Sequence, residues 1–325
     1  MRSKRRTGTS KGNQKNKTED IKEKIAIFGN VEKEDVISGC DVDNLYKIPL
    51  LLQGEGLLNR INKKFNLKVE PNMDNWKKLL NNLKDADKTI NIAICGKYTK
   101  LEDSYASIIE ALGHCEANLK TNINIKWIDT TNIKDIEEIL KNIQGVIIPG
   151  GFGSRGIEGK IKVIEHCRKN NVPFLGLCLG MQLAVIEFAR NQCGLVEANT
   201  TEVNEATLNK VIDILPEQVG IGNKGGTMRL GSQKALVIGK VKEYYNSDVV
   251  HERHRHRYEV NPKYHNILLK NGLVISGLSP DKKLAEFIEL PGHKFFVATQ
   301  AHPELKSKLE SPSPLFYHFI KACLD

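Results

Sequence analysis

The sequence predicts an α/β fold in which a doubly wound, mostly parallel sheet is flanked by helices. Three observations carry this. Between Ile90 and Arg190, short apolar runs rich in β-branched residues alternate four times with longer segments of helical spacing. The connections between them are short, as expected when each helix crosses back over the sheet. The last alternation, Pro173-Phe-Leu-Gly-Leu-Cys-Leu-Gly-Met-Gln182, runs a buried strand straight into a helix, with Gly176 and Gly180 on either side of Cys178.

In chain order, Ile90–Cys95 reads as a strand and Ser104–Ala117 as a helix with Ile108, Ile109 and Leu112 on one face. Ile123–Ile128 is a strand, Ile133–Ile143 helical, Gly145–Pro149 a strand, Lys160–Asn170 helical, Pro173–Leu177 a strand and Met181–Arg190 helical. From Asn191 to Gly231 the pattern is irregular, and Gly220–Gly226, with four glycines, reads as a mobile loop. Leu236–Val241 reads as a strand, Leu273–Gly277 and Glu286–Leu290 as antiparallel strands, Phe295–Gln300 as a further strand and Pro314–Leu324 as a closing helix. Toward the N-terminus, Ile25-Ala-Ile-Phe28 reads as a strand within Lys24–Gly29. Val31–Ser38 has helical spacing, and a further helix runs to about Phe65. Residues 24–70 hold secondary structure without enough apolar area for a core of their own.

Composition bounds the rest. The net charge is +9, of which residues 1–24 carry +6, so the remainder is nearly balanced and basicity argues only weakly for nucleic acid. Residues 1–23 are almost free of apolar side chains and are expected to be disordered. The run Arg2-Ser-Lys-Arg-Arg6 reads first as a solvated tail and second as a nucleic-acid patch. Seven cysteines with no C-x-x-C pair suggest reduced thiols, and no stretch approaches the ~18 apolar residues a membrane helix needs. The expectation is a cytoplasmic protein without a membrane segment.

At the elbow, the Cys178 sulfur lies near the N-terminus of the following helix, whose positive end favours a thiolate. Burial as an inert thiol is the commoner fate of a cysteine, but the Gly-X-Cys-X-Gly setting after a strand points to a nucleophile. Pro149-Gly-Gly-Phe-Gly153 leaves a neighbouring strand at the same sheet edge. The N–H groups of Gly151 and Leu179 are therefore candidates for an oxyanion hole. Ala301-His-Pro-Glu304 follows the last strand and offers His302 as base and Glu304 as its orienter. Glu252-Arg-His-Arg-His-Arg-Tyr-Glu-Val260 admits three readings: metal binding by His254 and His256, phosphate binding by Arg253, Arg255 and Arg257, or a bidentate clamp on a carboxylate.

The block Gly176-Leu-Cys-Leu-Gly-Met-Gln182 resembles the nucleophile elbow of class I (triad) glutamine amidotransferases, whose sheet is flavodoxin-like. The resemblance implies a Cys178–His302–Glu304 triad and glutamine held by Gly151, Leu179, Gln182, Glu202 and Arg257. Glu202 would take the substrate ammonium and Arg257 its α-carboxylate. Ala301 and Leu305 depart from the aromatic residues usual around this His-Pro-Glu. Lys24-Ile-Ala-Ile-Phe-Gly-Asn-Val31, Val36-Ile-Ser38, Leu45-Tyr-Lys-Ile-Pro-Leu-Leu-Leu52, Pro149–Gly156 and the Arg-His run resemble the CTP synthase family. That implies residues 24–70 as the end of a synthase domain, 71–89 as a linker and 90–325 as the amidotransferase domain.

The family aminates UTP with ATP and Mg2+ on its synthase domain and is activated by GTP, for which Phe152, Arg155 and Arg229 are candidate contacts. It assembles as a homo-oligomer, a tetramer. Here the synthase active site is expected to be absent, so this chain would hold no metal or cofactor and would supply the glutaminase half, taking L-glutamine. A stand-alone amidotransferase or γ-glutamyl hydrolase is the alternative enzyme. A non-enzymatic regulatory or nucleic-acid-binding protein is the alternative outside catalysis.

Overall fold

The computed structural model describes residues 11–97, 102–214 and 228–325, and the chain divides into two units between Leu80 and Asn81. The first unit carries helices α1 (Lys11–Gly29), α2 (Ile48–Gly54), α3 (Leu57–Phe65) and α4 (Asp74–Asn82), the last of which crosses the division. Two expectations are corrected here. Residues 11–23, expected to be disordered, and Lys24–Gly29, expected to be a strand, together form α1. A strand needs a neighbour for its N–H and C=O groups, and the described residues of this unit contain no other strand. A helix satisfies those groups within itself. Ion pairs from Lys22 to Glu55 at 2.6 Å and from Lys33 to Glu19 at 3.3 Å tether it. The helical spacing at Val31–Ser38 gives only a short turn of 3-10 helix, Lys33–Asp35. Trp76 of α4 donates to the Tyr46 carbonyl at 2.8 Å and meets the Tyr46 ring edge-on.

The second unit runs β1 (Lys88–Gly96), α5 (Ala106–Leu119), β2 (Thr121–Asp129), α6 (Ile136–Ile139), β3 (Gly145–Ile148), α7 (Ile157–Lys169), β4 (Phe174–Leu177) and α8 (Leu179–Asn191). It continues through β5 (Asn199–Thr200), β6 (Lys210–Ile214), β7 (Arg229–Val237), α9 (Gly239–Tyr245), β8 (Val249–His256), β9 (Tyr258–Val260) and α10 (His265–Lys270). It closes with β10 (Val274–Leu278), β11 (Ala285–Glu289), β12 (Phe296–Thr299) and α11 (Pro314–Leu324). Nine strands form one sheet in the order β2-β1-β3-β4-β12-β11-β10-β7-β8, and β5-β6-β9 form a second. Pairing from β2 to β12 is parallel and from β12 to β8 antiparallel.

The α/β reading therefore holds, including the antiparallel pair β10–β11. The strand expected at Leu236–Val241 ends instead at Val237, and Val241 packs inward from α9. Gly239, at φ +61°, makes the intervening turn and leaves no room for a side chain against Glu289. The loop expected at Gly220–Gly226 lies outside the described residues.

Side chains alternate across the parallel strands, and each set meets its own helices. Ala93, Cys95, Val146, Ile148 and Phe174 pack with α7 and α8 on one face. Ile92, Ile94, Ile147, Leu175 and Leu177 pack with α5 and α11 on the other. Helix α8 is apolar around most of its circumference because it is enclosed: Leu179 through Ala189 are all buried. Its one buried carboxylate, Glu187, is met by the Arg168 guanidinium through contacts of 2.7–3.1 Å.

Close approach of α8 to the sheet depends on glycine. A β-carbon at Gly180 would overlap the Ile148 carbonyl oxygen, and one at Gly176 would lie 2.8 Å from the Ala298 β-carbon. Replacing Gly180 with Ala should cost about 1–3 kcal/mol by forcing α8 off the sheet. A thermal melt should show a midpoint lower by about 2–4 °C for each kcal/mol lost; an unchanged midpoint would refute this packing argument.

Candidate active site

Strands β4 and β12 lie side by side and parallel, with Leu177 opposite Thr299. The next residue of each strand therefore falls at the same sheet edge. The Cys178 N–H donates to the Thr299 carbonyl at 2.8 Å, which extends the ladder by one rung. At Cys178 the chain turns at φ +51° and ψ −103°, far from the conformations a non-glycine residue ordinarily adopts, and enters α8. The Cys178 carbonyl then accepts from the Met181 and Gln182 N–H groups at 3.1 and 3.3 Å. A turn held at both ends in this way keeps a strained residue in place and aims its side chain out of the sheet.

His302 arrives from the segment after β12. Its N–H donates to the Arg253 carbonyl of β8 at 2.8 Å, and its ring Nδ1 lies 2.8 Å from Glu304 Oε1. Gly150 lies against both His302 and Cys178, with no room for a side chain of its own. A β-carbon there would lie 2.9 Å from His302 Cε1 and 3.5 Å from Cys178 Cβ. Burial pulls the His302 imidazole down, but hydrogen bonds to Cys178 and Glu304, with the charges of both, outweigh it and bring its pKa to about 10.

The structure places Gly151, Gln182, Glu202 and Arg257 with Cys178 and His302 around one cavity of about 680 Å³, which Phe152 also lines. Leu179 abuts Gly151, whose added β-carbon would stand 3.6 Å from Leu179 Cδ2. Glu202 Oε1 accepts the Gly153 N–H at 2.9 Å, tying the glycine-rich loop to the turn after β5. Phe152 is 67% exposed with Lys97 Nζ 4.7 Å above its ring, and Arg155 donates to the Lys97 carbonyl at 2.9 Å.

Arg229 is not brought to this group. It spans two buried carboxylates, Glu259 at 2.9 Å and Glu286 at 2.7 Å, and faces a separate cavity of about 580 Å³.

The Arg-His run resolves by strand period. In β8, His254 and His256 point inward and Arg253 and Arg255 outward. His254 Nδ1 and His256 Nε2 lie 2.9 Å apart. Burial, with help from Arg229, pulls His254 down to about 3. Burial together with His254 puts His256 well below its ordinary value. Both rings are thus neutral near pH 7, and one donates its N–H to the other. Among the described residues no three His, Cys, Asp or Glu side chains converge as metal ligands. Two neighbours of Cys178 escaped sequence reading. Tyr258 contributes its carbonyl to Gln182, and Gln300 lies fully buried with its Nε2 3.7 Å from the Cys178 sulfur. The only sequence signal for Gln300 was its position at the end of a strand.

Two outcomes follow from these electrostatics. Burial raises the Glu286 carboxyl and pushes Glu259 up to about 8 against the pull of Arg229. Arg229→Met would leave both without a cation and should lower unfolding free energy by about 3–5 kcal/mol. Adding Glu259→Gln and Glu286→Gln should recover part of it in denaturant unfolding, and an undisturbed single variant would contradict the clamp. For His302, a folded pKa raised from 6.5 to about 10 favours folding most at and below pH 6.5 and loses that contribution as pH rises toward 10. Glu304→Gln should flatten this decline in unfolding free energy between pH 6.5 and 10. Parallel pH profiles for the two proteins would count against the coupling.

Comparison with known proteins places this geometry. The family model described as class-I glutamine amidotransferase matches residues 100–322, and that described as CTP synthase N-terminus matches residues 10–67. A CTP synthase of Methanococcus maripaludis is 50% identical over 319 residues, covering 95% of this chain and 60% of that protein. One from Sulfurisphaera tokodaii is 51% identical over 310 residues, covering 94% and 58%. The chain thus spans about 60% of the length of the curated relatives it matches. The glutaminase domain of Trypanosoma brucei CTPS, solved with bound acivicin, superposes with a TM-score of 0.68 at 34% identity, covering 72% of this chain and 94% of that one. No described helix is long and apolar enough to cross a membrane. A nucleophile-elbow sheet matched over most of its length, joined to a segment matched to a synthase N-terminus, places the chain in the class-I glutamine amidotransferase family, among the CTP synthases.

Proposed function

We propose that the second unit hydrolyses the side-chain amide of L-glutamine through Cys178, His302 and Glu304. The observation that carries this is the 2.8 Å contact between His302 Nδ1 and Glu304 Oε1, which commits one ring nitrogen to the carboxylate and the other to Cys178. His302 takes the thiol proton. The thiolate adds to the amide carbon, and the N–H groups of Gly151 and Leu179 hold the oxyanion. The C–N bond breaks as His302 protonates the departing ammonia. Water, deprotonated by the same ring, then cleaves the γ-glutamyl thioester to glutamate and restores the thiol. The His302 hydrogen bonds that raise its pKa favour the thiolate–imidazolium pair from which attack begins.

Glutamine lies in the 680 Å³ cavity. Arg257 holds its α-carboxylate and Glu202 its ammonium, with one Glu202 oxygen already fixed by Gly153. The ammonia feeds a synthase reaction that aminates UTP at the expense of ATP with Mg2+. On this reading, that chemistry belongs to the part of the relatives' length that this chain does not span, and the assembly is a homo-oligomer. GTP activates glutamine hydrolysis at the cavity rim, where Phe152 offers an exposed ring and Arg155 a guanidinium. Arg229, committed to two buried carboxylates, is set aside.

The test is release of glutamate from L-glutamine by the purified chain, with and without GTP. Cys178→Ala should lower kcat on the order of 10⁴-fold or more while leaving the thermal midpoint near that of the parent. Retained glutamate release by the alanine variant would remove Cys178 from the mechanism.

A further inference from the structure

The mechanism above leaves one buried polar group beside the nucleophile without a role. Gln300 is fully buried immediately after β12, and its N–H is fixed to the Glu286 carbonyl at 2.9 Å. Its side-chain Nε2 lies 3.7 Å from the Cys178 sulfur, within reach of an N–H···S hydrogen bond. A side-chain amide can present either a donor or an acceptor, and the two have opposite effects on a thiolate. What faces the sulfur is therefore the question.

The neighbours decide it. Gln182 Nε2 lies 2.9 Å from the Tyr258 carbonyl, which can only accept, so the Gln182 amide must turn its NH2 toward Tyr258. The same nitrogen lies 3.2 Å from the Gln300 amide oxygen. With a donor on the Gln182 side, Gln300 turns its oxygen to Gln182 and its NH2 to Cys178. One backbone carbonyl thus sets the polarity of two amides in series.

We propose that Gln300 is a thiolate-stabilising residue, its donor held toward the Cys178 sulfur by the relay Tyr258 carbonyl–Gln182–Gln300. The inference rests on the reading of Cys178 as nucleophile and adds a residue to it. A hydrogen-bond donor facing a sulfur favours its charged form over the neutral one. Gln300 is fully buried and Cys178 nearly so, and a hydrogen bond between buried groups is stronger than the same bond in water. Both glutamines are fixed at their far ends, so the donor is already oriented before substrate arrives.

The test is the pH dependence of Cys178 alkylation by iodoacetamide, read on the Cys178 peptide by mass spectrometry so that the six other cysteines do not contribute. Among the described residues, the charged and titratable groups around the site are His302 and Glu304 after β12, Glu202 after β5, His254, Arg255 and His256 of β8, Arg257 and Tyr258 just beyond it, and Tyr105 before α5. All are retained in every variant, and Gln300→Met adds no charge, so its difference from the parent reports the amide alone. Gln300→Met keeps the volume and removes the donor, and should shift the alkylation midpoint up by about 1–2 pH units. Gln300→Glu places an acceptor against the sulfur and should shift it further.

Gln182→Glu offers only acceptors to Gln300, turns that amide over and should raise the midpoint without changing any atom in contact with sulfur. A packing role alone would lower the thermal midpoint of these variants and leave their alkylation profiles on the parent curve, and that result would overturn the proposal. If Met at position 300 prevents folding, Gln300→Leu, which likewise removes the donor without adding charge, decides the matter by the same criterion. Parent protein whose Cys178 resists alkylation at every pH would overturn the nucleophile reading and this inference with it. Normal parent alkylation with superimposable variants would overturn this inference alone.

Discussion

The hydrogen bond from the Cys178 N–H to the Thr299 carbonyl is the contact on which the site depends. It is the last rung of a parallel ladder that begins at Phe174 and Phe296, so its position is set by strand register rather than by the loops around it. A slip of one residue would turn the side chains of a whole strand to the opposite face. Phe174 and Phe296, with ring centroids 4.6 Å apart, and Leu175 and Val297 on the other face lock that register with buried apolar contact. The residues of the proposed site then hang from adjacent strand ends. The elbow leaves β4, while Gln300, His302 and Glu304 leave β12 within five residues of its end. A parallel sheet is suited to this because it brings distant parts of the chain to one edge with all strands pointing the same way.

That edge holds features unfavourable in isolation: a cysteine in a strained conformation, a part-buried histidine beside it and a set of buried carboxylates. Each is restrained by a neighbour. The Cys178 backbone is bonded on both sides of its turn, Glu304 faces His302, and Arg229 lies between Glu259 and Glu286. Backbone strain of this kind costs about 1–3 kcal/mol and survives only where the surroundings over-determine it. The enclosed helix α8 supplies that determination. It is buried from Leu179 to Ala189 and has no freedom to relax away from the elbow.

Much of this was legible because it is local. The strand–Cys–helix junction is contiguous, and the glycines that permit it stand beside the nucleophile. The alternation of apolar and helical periods marked the parallel half of the sheet, closely at Lys88–Gly96, and the closing helix Pro314–Leu324 was read to the residue. What was not legible depends on partners remote in sequence. Ile25-Ala-Ile-Phe28 has the composition of a strand, but composition does not supply the neighbouring strand, and in this structure the segment is helical. Arg229 was a candidate contact for GTP because nothing in Gly225–Gly231 announces Glu259 and Glu286. Conversely, the alternation of His and Arg in Glu252–Val260 is visible in sequence, but which set faces inward is settled only by the burial of β8.

Gln300 shows where sequence reading stops and what a structure adds. In sequence it is one polar residue between a strand and Ala301-His-Pro-Glu304, with no periodicity or motif to mark it. Its meaning comes from geometry at three removes. The Tyr258 carbonyl belongs to the small sheet, Gln182 to α8 and Gln300 to the end of β12, so three separate elements must pack correctly before a donor faces the sulfur. Such a chain of amides is uncharged and costs less to bury than a lysine or arginine in the same place. It can therefore favour a thiolate without adding a cation that would compete with His302 for the same negative charge. A positive side chain beside the sulfur would also stabilise the thiolate, but it would lower the pKa of His302 by repulsion and weaken the ring as the acceptor of the thiol proton. A neutral donor leaves both members of the pair poised, which is the condition a nucleophile and its base must satisfy together.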